Sequence, residues 1–396
     1  MNKMIVRDID VTGKRVLVRV DFNVPVNPQT GEITDDSRIR ASLPTIKYLL
    51  DRKASVILMS HFGRPKGKVV NDMRLAPVGK RLAQILGKPV KTTYDCIGPE
   101  VEKAAKSLKQ GEILLLENLR FHAEEEAGDA NFAKALASLG DIYVNDAFGT
   151  SHRPHASISG IAKYLPAVTG FLLEKEINTL GNLIENPAHP FTSLFGGAKV
   201  SDKVAVLNNI MKKVDCLLIG GGMAATFLKA KGINVGTSAV EDETVATAAA
   251  LIKDAEKKGV KLLLPVDVVV ADDLTAASQA STVSVDAVPP TRKIADIGPM
   301  TVDLFGKELK RSKTVFWNGP MGVHEVPQFA NGTRSLATLI SKLKATTVVG
   351  GGSTAEVIDA MGLTDKVTFV STGGGASLEF LGGDALPGVT ALMDKK

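Results

Sequence analysis

CLLIGGGMAATFL, residues 216–228, sets an apolar run of strand length, three glycines and a helical pattern one after another. TVVGGGSTAEVI (347–358) and FVSTGGGASLEFL (369–381) repeat the arrangement, and the first half of the chain has no matching echo. A strand that feeds a helix through a short turn is the βα unit, and a chain built from such units lays its strands parallel. Outward from these stretches the rhythm continues. FTSLFGG (191–197), KLLLPVDVVV (261–270) and TVFWNGP (314–320) read as further strands of the second half. RVLVRVDF (15–22), SVILMSHF (55–62), EILLLENLRF (112–121) and DIYVNDAF (141–148) read as strands of the first. Near-continuous Val, Ile and Leu runs imply burial on both faces, so helices must cover each sheet on two sides.

The 396 residues exceed one ordinary core and suggest two domains. The stretch 162–186 reads as a long helix after Pro166, and ENPAHP (185–190) breaks the pattern before the next strand. This sets a first domain over 1–170, a joining helix over 171–186, a second domain over 187–375, and a tail over 376–396 that holds a short helix. With 44% hydrophobic and 23% charged residues the composition is that of a globular protein, not a disordered one. Net charge is +5, too mild over this length to argue for nucleic acid, though it leaves room for a local cationic patch. Cys96 and Cys216 lie in different halves and form no metal or redox motif. No run of about 18 apolar residues suits a membrane span, and MNKMIVRDID does not resemble a signal peptide. The expectation is a cytoplasmic enzyme with reduced thiols.

Ligands of open parallel sheets sit at the carboxyl ends of the strands. In the first half those positions are polar and mostly cationic: Asp21 and Asn23, His61 and Arg64, Arg120, then His152, Arg153 and His155. Arg38 stands in the DDSRIR loop, and Pro44 suggests a regular helix only from about Ser42, leaving Arg38 free to reach into a cleft. Several arginines with histidines suit a small, multiply charged anion, because guanidinium binds carboxylate and phosphate through paired bonds. A zinc site at SHRPH lacks the supporting thiols or HExxH pattern. The second half follows its strands with glycines, as close approach of backbone to phosphate requires. Lys199 and Lys203 of GGAKVSDK (196–203), four apart at a helix start, would share a face and hold phosphates. Tight helix–strand packing explains a lone glycine triplet as well as ligand binding does. Ser353 and Glu356, after the second triplet, form a capping-box pattern. One half shaped for a polyanion and one for a nucleotide suggest a phosphotransferase that closes on its substrates. A dehydrogenase would need a GxGxxG loop, which is absent. An RNA-binding module would leave the glycine loops unexplained.

KRVLVRVDFNVP (14–25), DDSRIRASLPTI (35–46), SHFGRP (60–65), ENLRF (117–121), NDAFGTSHRPHAS (145–157), GGAKVSDK (196–203), GGGMAATFL (220–228), DIGP (296–299) and WNGPMGVHE (317–325) resemble, in order, the signatures of the phosphoglycerate kinase family. The resemblance implies two Rossmann-like three-layer α/β/α domains with parallel sheets joined by a long helix, the tail folding back on the first. It implies reversible phosphoryl transfer from 1,3-bisphosphoglycerate to ADP by a monomer that needs magnesium. It places 3-phosphoglycerate on Asp21, Asn23, Arg38, His61, Arg64, Arg120 and Arg153. Nucleotide falls to Gly197, Lys203, Gly221, Asn318, Glu325 and the loop Gly350, Gly351, Gly352 and Ser353. Arg38 and Lys199 would serve the transferred group. No nucleic acid or membrane partner is implied. Two departures stand out: the family's GGGD, whose aspartate binds magnesium, reads GGGS, with Ser353, and His324 replaces an aromatic residue. Magnesium would then meet the Ser353 hydroxyl directly or through water.

Overall fold

A computed structural model describes residues 2–395 and divides the chain into two compact units. One comprises the chain up to Asn178 together with the segment from Ala385; the other is Thr179–Asp384. Each is an α/β domain on a six-stranded parallel sheet. Among the described residues no helix is long and apolar enough to cross a membrane.

The first sheet holds β1 (Arg15–Arg19), β2 (Ser55–Met59), β3 (Val90–Thr92), β4 (Ile113–Leu115), β5 (Ile142–Asn145) and β6 (Ala167–Thr169), in the order β3-β4-β2-β1-β5-β6. Period-2 alternation sends Val16, Val18, Val56 and Leu58 to one face, where they join Ile39, Ile46 and Leu49 of one helix and Val78 and Leu82 of another. On the opposite face the Tyr143 hydroxyl donates to the carbonyls of Ser157 and Ile158. Order reverses between β1 and β5, the switch point where a crevice opens past the strand ends.

The second unit repeats the plan with β7 (Phe191–Phe195), β8 (Cys216–Ile219), β9 (Lys261–Leu263), β10 (Asp267–Ala271), β11 (Ala280–Ser284), β12 (Lys293–Ile297), β13 (Thr314–Asn318), β14 (Thr346–Gly350) and β15 (Phe369–Val370). The parallel sheet runs β15-β14-β13-β7-β8-β9, and β11-β10-β12 form a separate antiparallel sheet. KLLLPVDVVV is therefore two strands: Pro265, with no N–H to offer, ends the parallel strand, and Val268 and Val270 go to a smaller core of their own.

Three expected boundaries move. Residues 167–169 are strand, so the helix after Pro166 begins at Phe171 and ends at Glu185; the two units divide within it. The carboxylate of Asp146 sets this start by accepting the N–H groups of Leu172 (2.9 Å) and Leu173 (3.3 Å). The helix Gly375–Gly382 belongs to the second unit, since Asn209 donates to Leu381 there (2.7 Å); only the chain from Ala385 joins the first. That segment is woven in through Met4 N–H to Met393 carbonyl, Met393 N–H to Ala167 carbonyl and Gly388 N–H to Ser151 carbonyl, at 2.8, 2.9 and 2.8 Å.

The helix around Pro44 starts at Ser37, not near Ser42. Asp35 accepts both the N–H and the hydroxyl of Ser37, and burial of Ile39, Ile46 and Leu49 outweighs the one backbone bond that proline forgoes.

Candidate functional site

Beyond the carboxyl ends of β1, β2 and β4 the first unit gathers buried charge. Asp21 follows β1, is mostly buried, and forms an ion pair with Arg38 from the second position of the Ser37–Asp51 helix. Arg38 is thus held by a helix and a carboxylate, not by a free loop. Asn23 accepts the N–H of Gly63 (2.8 Å), which ties the first loop to SHFGRP. Asn118 fixes the third loop to the second: its side-chain oxygen accepts from Phe62 and Arg120 N–H, and its amide donates to the Phe62 and Met73 carbonyls. Arg120 donates to the Gly63 carbonyl (3.0 Å) and faces Glu126 at 3.4 Å.

His61 is buried, and one of its ring nitrogens, Nδ1, lies 3.3 Å from Arg19 Nη2. Burial pushes the imidazolium down to about 3; Asp21 opposes this, while Arg19, Arg120 and Arg38 add to it. The ring is neutral at physiological pH. Burial works to raise the Asp21 carboxyl, but the surrounding His61, Arg38 and Arg19 outweigh it and hold the group below its ordinary value. His155 is likewise driven down to about 4 by burial and by neighbouring Arg120, Arg19 and Arg153.

Arg64 and Arg153 are exposed, and neither side chain makes a hydrogen bond or ion pair among the described residues. Burial lowers the Arg120 pKa, Glu126 opposes this, and Arg19 and Arg153 add to the lowering, which places Arg153 near the cluster, whereas among the described residues no contact ties Arg64 to it beyond its position next to Gly63. The composition-based reading misses Arg19, Ser157 and Glu125, all fully buried. The signal was available: an arginine inside a strand buried on both faces needs a reason to be there.

In the second unit the loops after β7, β8, β13 and β14 converge. Gly197 donates to the Pro320 carbonyl (2.9 Å), Gly221 to Met321 (3.0 Å), and Gly196 to Asn318 (2.9 Å). A Cβ on Gly221 would meet Gly197 N at 2.5 Å and Pro320 O at 2.7 Å, so this triplet serves loop-on-loop packing. The Asn318 amide is buried without a partner and lies against Gly350 and Gly351. Gly352 and Ser353 are exposed at the start of the helix Gly352–Ala360, where nothing would meet a Cβ on Gly352. This N-terminus is open toward an anion. Ser353 is not its cap: the cap position is Gly351, with φ +90°, and no side chain bonds there. The chain turns into the helix two residues earlier than the capping pattern requires. The Ser353 hydroxyl carries no charge, so this stretch fits nucleotide phosphate better than a bare cation.

Lys199 and Lys203 do not share a face. A 3₁₀ turn over Ser201–Lys203 precedes the α-helix from Val204, leaving Lys199 exposed and Lys203 buried with its ammonium over Gly197. Burial lowers the Lys203 pKa, with Asp202 opposing. The N–H groups at this turn are occupied: Glu241 accepts from Val200 (2.6 Å) and Ser201 (3.1 Å). Glu325 is exposed beside His324 (3.2 Å) and, with Thr333, Arg334, Glu356 and Met361, lines a cavity of about 550 Å³. Among the described residues one three-residue grouping could approach a metal, Asp95, Cys96 and His122, and there the His122 Nε2 and Asp95 pair directly at 2.6 Å.

The chain is similar to known proteins over nearly its whole length. The family model described as phosphoglycerate kinase matches residues 6–384. The phosphoglycerate kinase of Moorella thermoacetica is 55% identical over 395 residues, covering 100% of both chains. That of Dictyoglomus turgidum is 54% identical over 390 residues, covering 98% of each. Among solved structures, phosphoglycerate kinase from Coxiella burnetii matches at TM-score 0.87 and 41% identity over 98% of each chain. The enzyme from Pyrococcus horikoshii matches at 0.87 and 33%, again over 98% of each.

Proposed function

Given that the chain belongs to the phosphoglycerate kinase family, we propose that it transfers a phosphoryl group reversibly from 1,3-bisphosphoglycerate to ADP, giving 3-phosphoglycerate and ATP. The observation that carries the reading is the cluster of buried Asp21 and His61 with half-buried Arg38 and Arg120 at one sheet's carboxyl edge, matched by glycine loops around Lys203 at the other's.

Asp21 and Asn23 bond the substrate hydroxyl. Exposed Arg64 and Arg153, with Arg120, take its phosphate and carboxyl groups through paired bonds. In the reverse direction the acceptor is a carboxylate, ionised at neutral pH, so the absence of a general base is no obstacle. Transfer then depends on alignment and on cations around the equatorial oxygens. Arg38 and Lys199 supply that charge. Lys203, the Asn318 amide and the Gly350–Ser353 helix start hold the nucleotide phosphates, and Glu325 borders the cavity for the rest of the nucleotide. Magnesium would arrive with the nucleotide and would supply charge neutralisation at the phosphates; Ser353 would offer it a hydroxyl, directly or through water. Because the two half-sites lie on separate units, hinge closure brings them together. The remaining assignments follow the same reading: a cytoplasmic, monomeric glycolytic enzyme.

The test is a coupled assay of ATP formation from 1,3-bisphosphoglycerate and ADP. Arg38→Ala should lower kcat by about a hundredfold or more with the fold intact, the scale of a lost charge-stabilising donor. Near-normal kcat in the folded variant removes Arg38 from the transfer step.

A further inference from the structure

The charge cluster rests on a second tier of side chains that its surface does not reveal. Arg19, on β1, is fully buried, and a buried guanidinium needs partners for its donors. Its Nε donates to the Ser157 hydroxyl (2.9 Å) and its Nη1 to the Val20 carbonyl. Ser157 is oriented in turn by Glu125: its hydroxyl donates to Oε1 (2.6 Å) and its N–H to Oε2 (2.9 Å). Both Glu125 oxygens accept; burial raises the group's pKa, and Arg19 and the two Ser157 bonds oppose that rise. One nitrogen, Nη2, remains, and it lies 3.3 Å from His61 Nδ1.

A guanidinium can only donate. The ring nitrogen facing it must therefore be a bare acceptor, and a neutral imidazole with a bare Nδ1 carries its proton on Nε2. Among the described residues Nε2 has no partner, and it is not one of the buried orphan atoms. We infer that Arg19 is a positioning residue that fixes His61 as the neutral Nε2–H tautomer, so that the ring presents a hydrogen-bond donor to an anionic oxygen of the substrate. The substrate identity rests on the function proposed above; the tautomer does not. The chain Glu125–Ser157–Arg19 thus converts a histidine among Asp21, Arg38 and Arg120 into a directional donor without adding charge.

The test begins on the ligand-free wild-type protein. Long-range ¹⁵N–¹H correlation spectra, with His61 assigned by its loss in His61→Asn, should show a bare Nδ1 and a protonated Nε2 at pH 7. A protonated Nδ1 overturns the inference without any need for a variant. Arg19→Met removes the donor, and His61 should then show a mixed or Nδ1–H tautomer. Arg19→Lys, again a pure donor, should restore Nε2–H. If Arg19→Met does not fold, Ser157→Ala frees the Arg19 side chain, and the same loss of tautomer bias is expected. An unchanged tautomer in the folded variant refutes the role of Arg19. Kinetically, losing a charge-assisted hydrogen bond to substrate should raise KM for 3-phosphoglycerate about tenfold or more, with kcat nearly unchanged. A fall in kcat at constant KM contradicts the proposal. Wild-type protein with the Nε2–H tautomer but no kinase activity would sink the proposed function and leave this inference standing.

Discussion

Asp146→Asn isolates a single buried carboxyl at the start of the helix that runs through both units. Oδ1 caps that helix, and the fully buried carboxyl has the Thr45 hydroxyl as a further neighbour. Burial pushes the group up from 3.8 to about 6. Between those values the folded chain holds a proton that the unfolded chain has released, so stability falls as pH rises through the window and is flat above it. A rise of roughly two units at about 1.4 kcal/mol each gives a loss of about 3 kcal/mol from pH 4 to pH 7. Asparagine keeps the capping oxygen and cannot ionise. The variant should therefore gain up to about 3 kcal/mol on the wild type between those limits, whatever fixed cost the substitution carries. The only tryptophan, Trp317, lies in the other unit, so its fluorescence is the wrong probe. The denaturant dependence of hydrogen exchange in the strand Ile142–Asn145, measured across pH 4 to 7, reads the right one. If the difference between variant and wild type stays constant with pH, Asp146 does not titrate between those limits in the folded chain and the argument from its burial fails.

Ser353→Asp should lower the magnesium concentration that gives half-maximal rate at fixed ADP; a variant needing as much or more places the metal elsewhere. Gly221→Ala forces a Cβ against Gly197 and Pro320 at a φ of +66°. It should cost the second unit about 1–3 kcal/mol by Trp317 fluorescence in urea, and an undisturbed midpoint would mean that the loops yield. Saturating nucleotide and 3-phosphoglycerate together should shrink the radius of gyration in solution scattering, and identical curves with and without them would count against closure.

The parallel sheets are legible because their strands are buried on both faces and advertise it as unbroken Val, Ile and Leu runs. The antiparallel sheet is not, because β11 is mostly exposed and polar, ASTVS, and carries no apolar alternation. The short edge strand β3, with its exposed Lys91 and Thr92, is silent for the same reason. β6 is hidden differently: Ala167–Thr169 is too short to break the helical pattern around it, and it forms because β5 offers it a parallel partner. Loop positions after strands place Asp21, His61 and Arg120 at one end of the sheet, since the strand end fixes where a side chain emerges. The spacing of Lys199 and Lys203 misleads because it presumes α-helical turns where Glu241 holds the chain in a tighter one. Ser353 misleads because Gly351 can adopt a positive φ and enter the helix earlier than a capping serine would.

Chain order carries one more consequence. The second unit is contiguous, whereas the first is assembled from two stretches separated by more than two hundred residues. On the ribosome, residues 2–178 emerge first but lack the strip that joins Met4 to Met393 and Ser151 to Gly388. Ser151 immediately precedes His152 and Arg153, and Asn145, at the end of β5, donates to both Ser151 and Gly388. The loop that carries His152 and Arg153 therefore lacks its bonds to Gly388 until synthesis has passed residue 388. The unit made second can complete its core first, reversing the usual order in which domains fold during translation. A nascent chain stalled before that point would hold a complete second unit and a first unit still missing its last strip.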